Sequence, residues 1–248
     1  MKPRISYNEA IDLLNRRPVR LAIKLSNGVR RFKYKVTPHI PDFTEDEAIR
    51  LYEPFSDPVR TWSNQELRRF SHLFGGDIVN ISGWEDKDKD GDYYRNYFPK
   101  ASSYTITNYS QHMPDRDDEI TLDLEQNLNT SLKNRFDTVF NHTILEHIYQ
   151  VKKAYKNMAM MSRDVVITVV PFIQQQHEQE TFRDYWRFTP TALRYLARDN
   201  GLEIIYENYR RDPYEITYII SVASKKPDEW KLKMPPYETL SQIADWIG

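Results

Sequence analysis

The chain has 248 residues, with 35 Lys and Arg against 36 Asp and Glu, and a formal net charge of -1. That balance excludes a general electrostatic pull toward nucleic acid or an anionic membrane, and the absence of cysteine excludes disulfides and thiolate metal centres. Seven glycines spell neither GxGxxG nor GxxxxGK[ST], which argues against kinases, P-loop enzymes and ordinary dinucleotide dehydrogenases.

The first 75 residues read as an N-terminal cap region. Tyr7 to Asn15 is a short helical pattern ended by Pro18. Leu21, Ile23 and Leu25 alternate, Asn27-Gly28 supplies a turn, and Phe32, Tyr34 and Val36 alternate again, which predicts a hairpin. Its outward face carries Arg20, Lys24, Arg31, Lys33 and Lys35, read as a solvated polar face with an acidic partner as the alternative. Thr44 is placed to cap a helix to about Tyr52, and Ser63 with Glu66 spells a capping box for a helix ending near Phe74. The opening MKPRISYNEAIDLL has no apolar core of signal-peptide length, and no later run is long enough to span a bilayer, so a cytoplasmic protein is expected.

From Asp77 strands and helices alternate. Strands are predicted at 77–82, 103–109, 119–124 and 136–141, then a helix from about Ile144 to Met161. DVVITVVP (164–171) is β-branched and apolar throughout, as suits a strand buried on both faces. Thr189 caps a further helix closed by Asn200-Gly201, and strands follow at 202–209 and 215–224. The alternation predicts an α/β fold, a doubly wound and mostly parallel sheet over 76–224. No helical segment separates the last two strands, so they are expected to pair antiparallel at an edge. Residues 225–248 form a C-terminal tail that ends in a small amphipathic helix, ETLSQIADWIG.

In such a sheet ligands bind beyond the carboxyl ends of the strands. The segments there are the ones that carry a resemblance. FDTVFNHTILEHIYQVKKAYKNM (136–158), VVITVVPF and DYWRFTPTALRYLARDNGLEII (184–205) resemble, in this order, segments of class I S-adenosylmethionine-dependent methyltransferases, over about residues 77–223. The resemblance implies a Rossmann-like domain, S-adenosylmethionine as cofactor, and methyl transfer to a small-molecule or glycan-type acceptor, with polysaccharide biosynthesis as the setting. It implies no nucleic-acid partner. Asn80, Ser82 and Gly83 would lie beside the methionine part of the cofactor, Asn108 would face the ribose, Asp123 and Leu124 the adenine, and Asn141 with His142 would line the pocket. His147 and His177 are the candidate bases, with Glu146 orienting or charging a neighbour. Tyr185, Trp186 and Arg187 would close the acceptor pocket. Plainer roles stand beside these: a loop-tying His147, an exposed His177, a packed Trp186, and an Arg187 paired with a carboxylate.

Two departures keep a second function open. The family's first loop carries three spaced glycines, where this chain has only Gly83 followed by Trp84, and Asn108 stands where an acidic ribose ligand is usual. A non-catalytic methyltransferase-like binding or scaffold domain that has lost cofactor binding is therefore the alternative. Metal chemistry finds little support in the spacing. His142 and His147 are five apart, no HExxH occurs, and no metal ligand set is assigned. The stretch WEDKDKDGDYYRNYFP (84–99) matches the first positions of a calcium loop from Asp86, but places Tyr97 where a bidentate glutamate belongs. It reads better as an acidic replacement for the glycine-rich loop, continuing into a helix over YYRNYFP.

Overall fold

The computed structural model describes residues 4–5, 43–44, 59–88, 90–109, 117–180, 182–210 and 217–237. The chain divides into two compact units, 1–58 and 59–248. In the first, β1 (Arg4–Ile5) pairs antiparallel with β2 (Phe43–Thr44). The predicted helix at 7–15, the 21–36 hairpin and its basic face, and the helix capped at Thr44 lie outside the described residues, as does the tail helix at 238–248.

The second unit begins earlier than the boundary expected at 75/76. Helix α1 (Val59–Ser71) belongs to it because Leu67 and Phe70 bury completely in the core formed on the sheet. The expected capping box is not at a helix end. Ser63 and Glu66 lie inside α1 and make tertiary contacts: the Ser63 hydroxyl lies 2.9 Å from His142 Nε2, and the Glu66 carboxylate accepts from Asn208 Nδ2 at 3.0 Å and from the Tyr206 hydroxyl. The S-x-x-E pattern is the same in both settings; burial against the sheet decides between them.

The sheet has seven strands in the order β5-β4-β3-β6-β7-β9-β8. These are β3 (Gly75–Ile81), β4 (Lys100–Asn108), β5 (Glu119–Thr121), β6 (Phe136–His142), β7 (Ser162–Ile173), β8 (Glu203–Tyr209) and β9 (Thr217–Ser224). All the pairings from β5 to β7 are parallel, and β9 runs antiparallel to both β7 and β8. The expected doubly wound sheet is therefore present, with the last two strands paired antiparallel at one edge. The reversed strand is the inner one of that pair, which lets the short connection between β8 and β9 work without a crossover.

Alternation along the strands sorts the core into two layers. Val79, Val139, Val166 and Val170 pack with α2 (Val151–Met161) and α3 (Pro190–Arg198) through Tyr155, Met158 and Leu193. Ile78, Phe140, Ile167 and Val222 pack with Leu67 and Phe70 of α1 and with Tyr94, Tyr97 and Phe98. Burying each such side chain contributes roughly 1.5–3 kcal/mol. Helix α3 starts where predicted, with the Thr189 hydroxyl accepting from the Ala192 amide at 3.1 Å, and Gly201 (φ +71°) supplies the left-handed residue after it. Asp164, near the amino end of β7, accepts from the Lys225 and Lys226 amides and from Trp230 Nε1, which ties the short helix α4 (Pro227–Trp230) to that strand.

Candidate functional site

The strand order reverses between β3 and β6: the chain leaves β3 toward β4 and β5, then returns to β6 and proceeds the other way. The crevice at such a switch point is the ligand position of open α/β sheets. Two loops flank it here, the one after Ile81 and the one after His142. Among the described residues, five that are not glycine have positive φ, and four of them lie in these loops: Ser82 (52°), Trp84 (51°), Asp86 (66°) and Thr143 (54°). A left-handed β-branched residue such as Thr143 is a rare and costly conformation, of the kind that clusters at functional sites.

The loop after β3 is tied to the end of β4. The Ser82 amide donates to Thr107 Oγ1 at 3.2 Å, the Gly83 amide to the Thr107 carbonyl at 3.1 Å, and the Trp84 amide to Asn108 Oδ1 at 2.9 Å. The Asn108 amide group in turn donates to Glu119 Oε1 at 2.9 Å. A Cβ on Gly83 would sit 2.6 Å from Asn80 Nδ2 and 3.0 Å from Ile106 Cγ2. This glycine therefore serves close packing on its own strands.

The acidic stretch folds inward. Asp86, fully buried, accepts from Asn80 Nδ2 (3.0 Å), the Tyr104 hydroxyl (2.8 Å), and the backbone amide and Nε of Arg95 (3.1 and 3.3 Å). Asp88 accepts the Asp90 and Asp92 amides at 2.8 Å each, Arg68 at 2.9 Å and the Tyr97 hydroxyl. Asp90 accepts from Thr61 and Asn64 of α1. Protein donors already fill the oxygens that a calcium loop would need. The helix expected over YYRNYFP shortens to a single 3-10 turn, Tyr94–Tyr97, because its rings turn inward to pack on Phe140 and Phe98.

The other loop differs. Asn141 is fully buried, and among the described residues no partner reaches either its Oδ1 or its Nδ2. It pairs in register with Ile81 on β3 and with Thr168 on β7, whose buried hydroxyl is also unpartnered. Each unmet buried group costs about 1–3 kcal/mol, so a native chain that keeps them at a switch point has a reason to. His142 is not brought to that position. It points to the opposite face, under α1, with Nε2 near the Ser63 hydroxyl and Nδ1 3.3 Å from Thr143 Oγ1. Burial, with Arg60 close by, holds its pKa well below the ordinary histidine range.

Beyond Thr143 the chain makes a 3-10 turn, Leu145–His147, before α2 begins at Val151. The Glu146 side chain is 1% exposed, with neither oxygen hydrogen-bonded among the described residues. Burial pushes its pKa up to about 8, against the weaker pull of its own amide and of Arg60. His147 Nδ1 lies 2.7 Å from the Arg183 carbonyl, and burial lowers the pKa of the ring. His177 is brought beside it, with ring centroids 4.9 Å apart, and its Nδ1 lies 3.2 Å from Asp184 Oδ2. Glu146, His147 and His177 each present one ligand-type atom within 4.8 Å of the others.

Arg187 organises this region and does not stand free in a pocket. It holds both Asp184 oxygens, at 2.6 and 2.7 Å, and donates to the carbonyls of Gln174 and Gln175. Burial works against the Asp184 carboxylate, but Arg187 and the His177 amide hold its pKa down at about 2. Tyr185 and Trp186 are tied by their amides to the Glu146 carbonyl, and with Tyr149 they form an exposed aromatic patch; Tyr149 and Trp186 stack at 6.4 Å. Asp123 sits in a turn after β5, where its Oδ1 accepts the Glu125 amide at 2.8 Å, and Leu124 is buried in the core. Three participants were not read from the sequence. Thr168 looks like any β-branched core residue there, Tyr149 like a helix position, and Asp184 like the start of a packing segment.

No sequence family matches the chain, and no curated protein matches it. Among solved structures it is similar to the Burkholderia thailandensis 1,6-didemethyltoxoflavin-N1-methyltransferase, crystallised with 1,6-didemethyltoxoflavin and S-adenosylhomocysteine. The identity is 15% over 75% of this chain and 92% of that one, with a TM-score of 0.48. The magnesium protoporphyrin IX methyltransferase of Synechocystis PCC 6803, with bound SAM, shares 13% over 91% of this chain and all (100%) of the other, with a TM-score of 0.43. The N-methyltransferase NodS of Bradyrhizobium japonicum, in complex with S-adenosyl-l-homocysteine, shares 13% over 67% of this chain and 87% of that one, with a TM-score of 0.46. At identities of 13–15% and TM-scores of 0.43–0.48, these likenesses assign no ligand, reaction or residue role to this chain.

Proposed function

We propose that the protein is an S-adenosylmethionine-dependent methyltransferase acting on a small-molecule or glycan-type acceptor. The observation that carries this reading is the Asn141 carboxamide, buried and unpartnered at the end of β6 beside the switch point. Such an amide is suited to a ligand offering both a donor and an acceptor. The fit is one-sided. Asn141 and Thr168 offer open polar atoms, whereas the amides of Ser82, Gly83 and Trp84 are committed to Thr107 and Asn108 at the end of β4. Ribose recognition by Asn108 would require Trp84 to release it.

When bound, the cofactor supplies an electrophilic methyl group, and the chain's own task is to position the acceptor and accept its proton. His147 suits the second role. A carbonyl oxygen only accepts, so Nδ1 carries the proton and Nε2 keeps its lone pair; the lowered pKa keeps the ring neutral near pH 7. His177 Nδ1 is likewise oriented by the Gln175 carbonyl, with Asp184 Oδ2 3.2 Å away. The exposed Tyr149, Tyr185 and Trp186 offer ring faces that suit a planar acceptor or a sugar. A cytoplasmic step in polysaccharide assembly is the finer form of this proposal. No described helix is long and apolar enough to cross a membrane.

The commitment of Asn108 to Trp84 favours the second reading, a scaffold of this fold without cofactor. Calorimetry with S-adenosylhomocysteine separates the two. Saturable binding with a Kd below about 1 mM is expected, and no heat of binding at that concentration by folded protein sinks the enzyme reading.

A further inference from the structure

We propose that Glu146, His147 and His177 form a binding site for one divalent transition-metal ion, with open coordination positions. Hydrogen positions decide which ring nitrogens are open. His147 Nδ1 faces the Arg183 carbonyl at 2.7 Å, which accepts only, so the proton sits on Nδ1 and Nε2 is a bare donor of electrons. That Nε2 lies 3.9 Å from Glu146 Oε1, too far for a hydrogen bond and close to the spacing of two ligands on one ion. His177 Nδ1 faces Asp184 Oδ2 at 3.2 Å and the Gln175 carbonyl at 3.4 Å, again acceptors only, so its Nε2 is bare as well. Glu146 contributes a carboxylate buried to 1% with both oxygens unpartnered among the described residues.

Both imidazoles thus have their far nitrogen held by a backbone carbonyl, Arg183 for His147 and Gln175 for His177, with the Asp184 carboxylate in ion-pair range of the second. This is the supporting shell that orients histidines on a metal. The carboxylate of Asp184 is itself locked by both arms of Arg187 and by the His177 amide at 2.9 Å, so the shell is rigid and the Arg187 charge is balanced beside the site. Phe182 packs against both rings, with centroids 4.7 and 6.1 Å away.

Two nitrogens and one carboxylate oxygen, without thiolate, suit Zn²⁺ or a neighbouring first-row ion. Ligands about 2.1 Å from a tetrahedral ion stand about 3.4 Å apart, so atoms within 4.8 Å of one another close the site by a modest swing of the imidazoles. Side-chain exposures of 17% for His147 and 36% for His177 leave one side open to water or to an oxygen of the acceptor. With an ion bound, His147 and His177 would act as ligands and not as bases, and the ion would supply Lewis-acid polarisation of an acceptor oxygen; only this consequence rests on the methyl-transfer reading.

The test uses the full chain stripped with a chelator and titrated with Co²⁺ as the optical probe. One equivalent per chain is expected to bind, with visible absorption bands that Zn²⁺ abolishes. H147A and H177A, checked for native circular dichroism, are expected to lose the bands. D184N is expected to keep them at an affinity weakened roughly 10–100-fold. The proposal is overturned by absence of stoichiometric Co²⁺ binding below about 100 µM, or by bands that survive both histidine variants. S-adenosylhomocysteine binding by the stripped protein is a separate readout, so a failed metal site and a failed cofactor reading are told apart.

Discussion

Replacing Glu146 by Gln isolates the energetic cost of ionising a buried carboxyl. Its pKa stands at about 8 in the folded chain against 4.5 when exposed, with burial as the leading cause. The groups that face it are Arg60 and Arg187, which favour the charged form, Asp184, which opposes it, and His147 and His177. The folded state therefore holds more protons than the unfolded one between these pH values. The stabilising contribution is complete below pH 4.5 and is lost as pH rises through 8. At about 1.4 kcal/mol per unit, the full loss is on the order of 5 kcal/mol, a large share of the roughly 5–15 kcal/mol that holds a domain folded. The carboxamide introduced by Glu146→Gln cannot ionise. With a chelator present, the parent should lose about 1 kcal/mol by pH 5.5 and about 4 kcal/mol by pH 8 relative to its low-pH stability, so the variant should gain roughly 3 kcal/mol on it between these two pH values. His147, lowered by burial, contributes in the opposite direction as pH falls, and it is present in both proteins. Urea denaturation across pH 5–9 reads the difference directly. Parallel curves would refute the buried, unpartnered placement of this carboxyl.

Three further outcomes follow from the same structure. Asn141→Leu removes two unmet polar atoms and should raise stability by about 1 kcal/mol or more while lowering S-adenosylhomocysteine affinity at least tenfold; unchanged calorimetric affinity would contradict the ligand role. Phe140→Ala, at a position packed against Tyr94 and Phe98 with no exposure, should cost roughly 3–5 kcal/mol by chemical denaturation, without a specific effect on Co²⁺ stoichiometry. Calcium at about 1 mM should leave tryptophan emission unchanged, because Asp86, Asp88 and Asp90 already accept protein donors beside the exposed Trp84; a saturable change would reopen the metal reading of that loop.

Much of the sheet was legible because its information is local. DVVITVVP reads as a doubly buried strand from composition alone, and β7 is that strand, extended to Ser162–Ile173. Thr189 and Gly201 mark the ends of α3 through short-range backbone chemistry that any tertiary context would respect. The missing helix between the last two strands was enough to expect their antiparallel pairing.

What the sequence could not settle are contacts made at long range. Ser63 and Glu66 spell a capping box, yet bonds to residues 79 and 142 positions away place both inside α1. The acidic run from Asp86 looks solvated or metal-binding until Tyr104, Arg68 and α1 supply its donors. His147 and His177 each read singly as a candidate base or a loop residue, and Glu146 as a group orienting or charging a neighbour. Only the return of the chain through Asp184 and Arg187 brings their open atoms together. Backbone propensity and periodicity act over a few residues and so determined the elements, while desolvation and hydrogen-bond satisfaction depend on neighbours distant in sequence and so decided the site.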